Sequence, residues 1–103
     1  MLKVMGNTIP YSRQKISKED IESVKEVLDS DFLTQGPTGP IFEKKVCEIV
    51  GAKYGVAVNS GTSALHVACL ALGLTNDDYL WTSANSFVAS ANCGLYCGSK
   101  LVL

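Results

Sequence analysis

The stretch that decides the fold is Asn59-Ser60-Gly61-Thr62-Ser63-Ala64-Leu65. Val56-Ala57-Val58 before it reads as a buried strand, and Thr62 to Leu72 reads as an almost wholly apolar helix. At such a junction the first backbone N–H groups of the helix are unpaired, and the helix start carries a partial positive charge. Gly61 lets an anion approach the backbone, and Thr62 and Ser63 add hydroxyl donors, so the stretch reads as an anion site. A plain N-cap at Ser60 or Thr62 explains the same residues, and on local pattern alone that reading comes first. Neither Gly-Lys-[Ser/Thr] nor Gly-x-Gly-x-x-Gly occurs, so the two common nucleotide loops find no support.

Downstream, Asn76-Asp77-Asp78 is a turn, Tyr79 to Thr82 a strand, Ser86 to Tyr96 a helix of small and apolar residues, and Lys100 to Leu103 a third strand after a turn at Cys97-Gly98-Ser99. The order is β-α-β-α-β with short connections. Strands apolar on both faces, alternating with helices, predict the parallel sheet of an α/β protein. A parallel sheet usually continues past three strands, so the pattern reads as the start of a larger sheet.

Upstream, residues 1–16 are irregular. Ser17-Lys18-Glu19-Asp20 is a capping-box pattern, followed by Ile21, Val24, Val27 and Leu28 at helical spacing, which predicts a helix over about Lys18 to Asp29. Leu33 to Pro40 is turn-forming. A second helix runs from about Ile41 to Val50, with Phe42, Val46 and Ile49 or Val50 inward and Gly51 to end it. Residues 1–54 thus form an N-terminal arm with two helices, and 55–103 the start of the α/β domain.

Composition narrows the function. Nine Lys and Arg against ten Asp and Glu give a formal charge of −1, and the cations are scattered, which argues against nucleic acid. No segment has the apolar length of a signal peptide or a membrane span, so a cytoplasmic protein is expected. Cys47, Cys69, Cys93 and Cys97 lack zinc spacing, although Cys93 and Cys97 share a helix side with His66 as the one available third ligand. Buried free thiols are the favoured reading.

A second feature strengthens the phosphate reading. Strand C-termini of a parallel sheet share one edge, where ligands bind. The loops at Asn59–Thr62 and Thr82–Phe87 belong to that edge. Together they offer a phosphate cup and the aromatic ring of Phe87, which suits a flat phosphorylated cofactor. Core packing is the competing account of Phe87.

At this point "NSGTSALHVACLALGL" and "LWTSANSFVASANCGLYCG", with "FEKKVCEIVGAKYGVAVNSGTSAL" upstream, resemble the DegT/DnrJ/EryC1/StrS family of pyridoxal-phosphate-dependent sugar aminotransferases. The likeness runs from about Ile9 to Gly98. It is strongest to members acting on UDP-linked 4-keto-6-deoxy sugars in pseudaminic acid synthesis. It implies the aspartate-aminotransferase-like large domain (fold type I), pyridoxal 5′-phosphate as cofactor, glutamate as amino donor, a UDP-sugar as acceptor and a homodimer. It implies cofactor-phosphate contacts at Thr62 and at the backbone near Gly61 and Ser63, and ring stacking by Phe87. Ala84 stands where the family often has Pro, and Asp77 where Gly is common.

The family's pyridine-pairing Asp and Schiff-base Lys lie further along its chains. None of Lys3, Lys15, Lys18, Lys25, Lys44, Lys45, Lys53 and Lys100 sits in the lysine motif. The expectation is an N-terminal fragment, inactive alone, with no catalytic residue of its own. The rival reading is a non-catalytic fragment or gene remnant that only docks on a partner subunit or binds a phosphate. In the family, later strands lie between the first and second strands. Val56–Val58 is therefore expected to lack a sheet neighbour, unless it pairs with Leu80–Thr82 in a rearranged three-stranded sheet.

Overall fold

The computed structural model describes residues 12–103. The irregularity expected over residues 1–11 lies outside them. The chain divides into two compact units, Met1–Thr38 and Gly39–Leu103.

In the first unit, helix α1 spans Lys18–Leu28. Its start is the capping box read from the sequence: the Asp20 N–H donates to Ser17 Oγ at 3.2 Å, and the Ser17 N–H donates to Asp20 Oδ2 at 2.8 Å. Glu19 and Asp20 in the first turn and Lys25 in the last suit the helix dipole. The apolar stripe of Ile21, Val24 and Leu28 is exposed.

Helix α2 spans Thr38–Val50 and begins three residues earlier than expected. Pro40, expected in the loop, falls in the first helical turn, where an N–H has no intrahelical partner and none is lost. The inward face also differs from the sequence reading. Phe42, Val46, Ile49 and Val50 are exposed, and Glu43 and Cys47 are the half-buried positions. The reason is the path of residues 55–57. A Cβ on Gly55 would stand 2.9 Å from Cys47 Sγ and 3.3 Å from the Glu43 carbonyl oxygen, so the backbone runs directly against this side of α2. The Ala57 N–H then donates to Glu43 Oε1 at 2.8 Å.

That bond accounts for the main topological correction. Val56–Val58 is not a strand: the sheet has two strands, β1 (Tyr79–Trp81) and β2 (Lys100–Val102), and among the described residues no third strand pairs with them. Of the five-element β-α-β-α-β pattern the last four elements form and the first strand does not. The expected lack of a sheet neighbour holds, and the rearranged three-stranded sheet does not form. A backbone donor without a ladder needs another acceptor, and the Glu43 carboxylate supplies one to Ala57.

The remaining elements are α3 (Gly61–Ala71) and α4 (Ala89–Tyr96), with α4 crossing between the parallel strands β1 and β2 in the register Leu80↔Leu101. Helix α4 begins three residues later than the sequence suggested. The Asn85 N–H donates to Ser83 Oγ, and Ser86 Oγ pairs with Ser90 Oγ. These side chains stabilise a turn in competition with helix. Three helices end in the same way: Gly51, Gly73 and Gly98 have φ of +70, +73 and +84°. After each, the next N–H reaches back to Cys47, Cys69 or Gly94 respectively, at 3.0–3.1 Å.

The core is small. Cys69 on α3 and Ala89, Cys93 and Gly94 on α4 are buried, and their size lets α3, α4 and β1 approach closely. Leu65, Val67, Leu70 and Leu72 of the apolar stretch around α3 are all open to solvent.

Candidate phosphate and ring site

The N-cap of α3 is Ser60, in extended conformation, and its Oγ accepts the Ser63 N–H at 3.1 Å. The capping reading is thus correct for Ser60, but it does not exhaust the loop. Ser60 Oγ–H donates to Ser63 Oγ at 3.0 Å, and Ser63 Oγ–H donates to Asn59 Oδ1 at 2.7 Å. The hydroxyl protons of both serines are therefore engaged within the loop. Gly61 and Thr62 are the first two helical residues, whose N–H groups no intrahelical carbonyl can reach. A Cβ on Gly61 would meet nothing within 4 Å, so the approach to its amide is open.

Gly61, Thr62 and Leu65 of α3 line one open cleft of about 540 Å³ with Phe87, Ala89 and Ser90. The volume lies in the range of small-molecule sites, about 300–1,000 Å³. Phe87 reaches it because the 82–88 loop leaves the C-terminal end of β1 and stays non-helical until Ala89. The ring is 75% exposed, which sets aside core packing within this chain. Three of the four residues singled out from the sequence, Gly61, Thr62 and Phe87, meet at this cleft. Ser63 does not line it, and its N–H and O–H are both spent on the loop.

The donor set fits a phosphorylated aromatic cofactor: two free amides and one hydroxyl for the phosphate, an aromatic face for a flat ring, and apolar walls from Leu65 and Ala89. Among the described residues no cation lines the cleft, and the helix start supplies positive potential there. Another concavity, of about 460 Å³ in the first unit, is lined by Glu26, Asp29 and Asp31; their charges repel a phosphate.

The sequence reading missed two contributors. Glu43, on α2, anchors the backbone two residues before Asn59, and nothing local marks a Glu fourteen residues away as its partner. Asn59 is the other; its spacing of four from Ser63 is the available signal.

Among the described residues no three His, Cys, Asp or Glu side chains converge to hold a metal. His66 packs edge-on against the Tyr96 ring, 5.1 Å between centroids. All four cysteines are free thiols. Burial pushes the Cys69 thiol up to about 11, with contributions from neighbouring Cys93 and Cys97.

Residues 14–103 match the model of the DegT/DnrJ/EryC1/StrS aminotransferase family, and the chain belongs to that family. It is 40% identical over 102 residues to the spore coat polysaccharide biosynthesis protein SpsC of Bacillus subtilis, covering 99% of this chain and 26% of SpsC. Helicobacter pylori PseC, an aminotransferase involved in the biosynthesis of pseudoaminic acid, superposes with a TM-score of 0.83 at 39% identity, over 90% of this chain and 26% of PseC. Spr1654 from Streptococcus pneumoniae in its PLP form gives 0.84 at 26% identity, over 91% of this chain and 24% of that one. The fold is thus the beginning of the type I pyridoxal-phosphate transferase domain, and full-length members use that cofactor. The chain spans about a quarter of the length of these relatives. No helix among the described residues is long and apolar enough to cross a membrane.

Proposed function

We propose that this chain forms the phosphate cup and one stacking face of a pyridoxal-phosphate-dependent nucleotide-sugar aminotransferase. The reaction transfers an amino group, usually from glutamate, to a UDP-linked 4-keto-6-deoxy sugar. The observation that carries the reading is the meeting of Gly61, Thr62 and Phe87 at one cleft of cofactor size. The family match and the likeness to PseC support the sugar-transaminase part.

When bound, the cofactor supplies the electron sink for amino-group transfer. The residues of this chain bind and orient it. The Gly61 and Thr62 amides and the Thr62 hydroxyl donate to the phosphate oxygens, charge-assisted bonds of the stronger kind. Phe87 lies against the ring and fixes its plane. Leu65 and Ala89 keep water from the near side. The reactive lysine, the acid that pairs with the pyridine nitrogen and the sugar pocket are assigned to the rest of a complete polypeptide. Residues 1–54 serve there as an arm and 55–103 as the opening of the large domain, in a cytoplasmic homodimer.

The test is cofactor affinity in the complete enzyme. Thr62→Val weakens pyridoxal-phosphate binding by about 1.5–3 kcal/mol, the scale of a hydrogen bond to a charged group. Phe87→Ala weakens it by about 0.5–1.5 kcal/mol through lost stacking. Parent-like dissociation constants in both variants contradict the site assignment.

A further inference from the structure

The likeness to the family groups Ser63 with the cofactor contacts, but its hydrogen bonds assign it different work. Its N–H is held by Ser60 Oγ at 3.1 Å, its Oγ accepts from Ser60 at 3.0 Å, and its hydroxyl proton goes to Asn59 Oδ1 at 2.7 Å. The bonds run in one direction, from the Ser63 amide through both hydroxyls to the Asn59 carbonyl. Such chains reinforce one another. Asn59 terminates the chain and lies immediately before the cap residue. We infer that Asn59 and Ser63 are positioning residues that act as one brace, holding the first turn of α3 so that the Gly61 and Thr62 amides and the Thr62 hydroxyl are left for the phosphate.

The brace has a consequence for the donor set. Of the three hydroxyls in Ser60-Gly61-Thr62-Ser63, two spend their protons on the loop, and Thr62 alone has no protein partner among the described residues. Ser63 therefore contributes through geometry, and its effect on the cofactor passes through its bonds to Ser60 and Asn59. A direct phosphate ligand at Ser63 would act independently of Asn59. The two roles differ in additivity.

The inference rests on the cofactor reading above, and the test separates the two. In the complete enzyme, pyridoxal-phosphate dissociation constants and the 31P resonance of the bound phosphate are measured for Ser63→Ala, Asn59→Ala, the double variant, Ser63→Thr and Thr62→Val. The brace predicts that each alanine variant weakens binding roughly three- to tenfold, the range of one net hydrogen bond, and shifts the 31P line. The double variant then loses clearly less than the product of the two single losses, since the Ser63–Asn59 bond is removed in both singles. Ser63→Thr keeps the hydroxyl and restores parent affinity and line position, which a loss of fold would not allow. Equal fold-losses from Ser63→Ala with and without Asn59 overturn the brace and make Ser63 a direct ligand. An Asn59→Ala enzyme with parent affinity and 31P line also overturns it. Thr62→Val with parent affinity removes the cofactor reading, and the brace with it.

Discussion

Gly94→Ala sets two opposed effects against each other at the closest packing in the fold. Gly94 sits inside α4, where alanine is ordinarily better than glycine by about 1 kcal/mol. Here the added Cβ would stand 2.6 Å from Leu80 Cδ2, 2.6 Å from Ser99 Oγ and 2.9 Å from Leu80 Cβ. The Leu80 methyl and the Ser99 hydroxyl can rotate away. Leu80 Cβ is fixed to β1, so α4 must lift off the strand or the strand must shift. Overpacking of this kind costs about 1–3 kcal/mol, and the immovable contact places this case in the upper part of that range. The expected net loss is about 1–2 kcal/mol. Ser99 provides the internal check. Its side chain is buried, and its Oγ has no hydrogen-bond partner among the described residues. Ser99→Ala alone is neutral or stabilising, because it removes an unsatisfied hydroxyl. In the Gly94→Ala background it also removes one of the three clashes, and recovers about 0.5–1 kcal/mol. Amide exchange of α4 and β1 in the complete enzyme is the assay, since a protein of several units has no single unfolding free energy. Increased protection in Gly94→Ala would show that helix propensity wins and that α4 is free to move off β1, refuting the packing account.

Three other outcomes are expected. The chain of 103 residues shows no transaminase turnover when mixed with glutamate, pyridoxal phosphate and a 4-keto sugar nucleotide, and turnover well above that of free cofactor contradicts the assignment of the reactive lysine elsewhere. The same chain associates or remains partly ordered in water, because the exposed side chains of Leu65, Val67, Leu70 and Leu72 need a cover; a sedimenting monomer with protected amides throughout β1, β2 and 56–58 contradicts this. Cys69 reacts with iodoacetamide more slowly than half-buried Cys97 at pH 9, since its thiol ionises near 11. An ordinary thiol in the unfolded chain loses its proton near 9.0, so stability is full below that pH and declines between about 9 and 11; equal alkylation rates refute the burial of Cys69.

The helix starts and stops were legible where the determinants are local. The Ser17–Asp20 box and the glycines at 51 and 98 act within a few residues, and each does what its position implies. The strand at Val56–Val58 was misread because a strand is defined by its neighbour, and its donor at Ala57 goes to a carboxylate on α2. The face of α2 was misread for a related reason. Helical periodicity shows which side is apolar, but Gly55 and Ala57 determine which side is covered within this chain. At the cleft, the two loops meet as expected, although the strand expected before the first of them does not form. The division of labour inside the turn did not follow, because Ser60, Thr62 and Ser63 are chemically alike and only their hydrogen bonds separate cap, ligand and brace.

The central claim is that the first turn of α3 and Phe87 hold opposite ends of one cofactor. A structure of the complete enzyme with pyridoxal phosphate measures this directly. The account requires phosphate oxygens within about 3.2 Å of the Gly61 and Thr62 amide nitrogens and the pyridine ring stacked on Phe87 at a centroid distance of about 4.5–7 Å. A phosphate bound away from this turn, or a ring with no contact to Phe87, contradicts it.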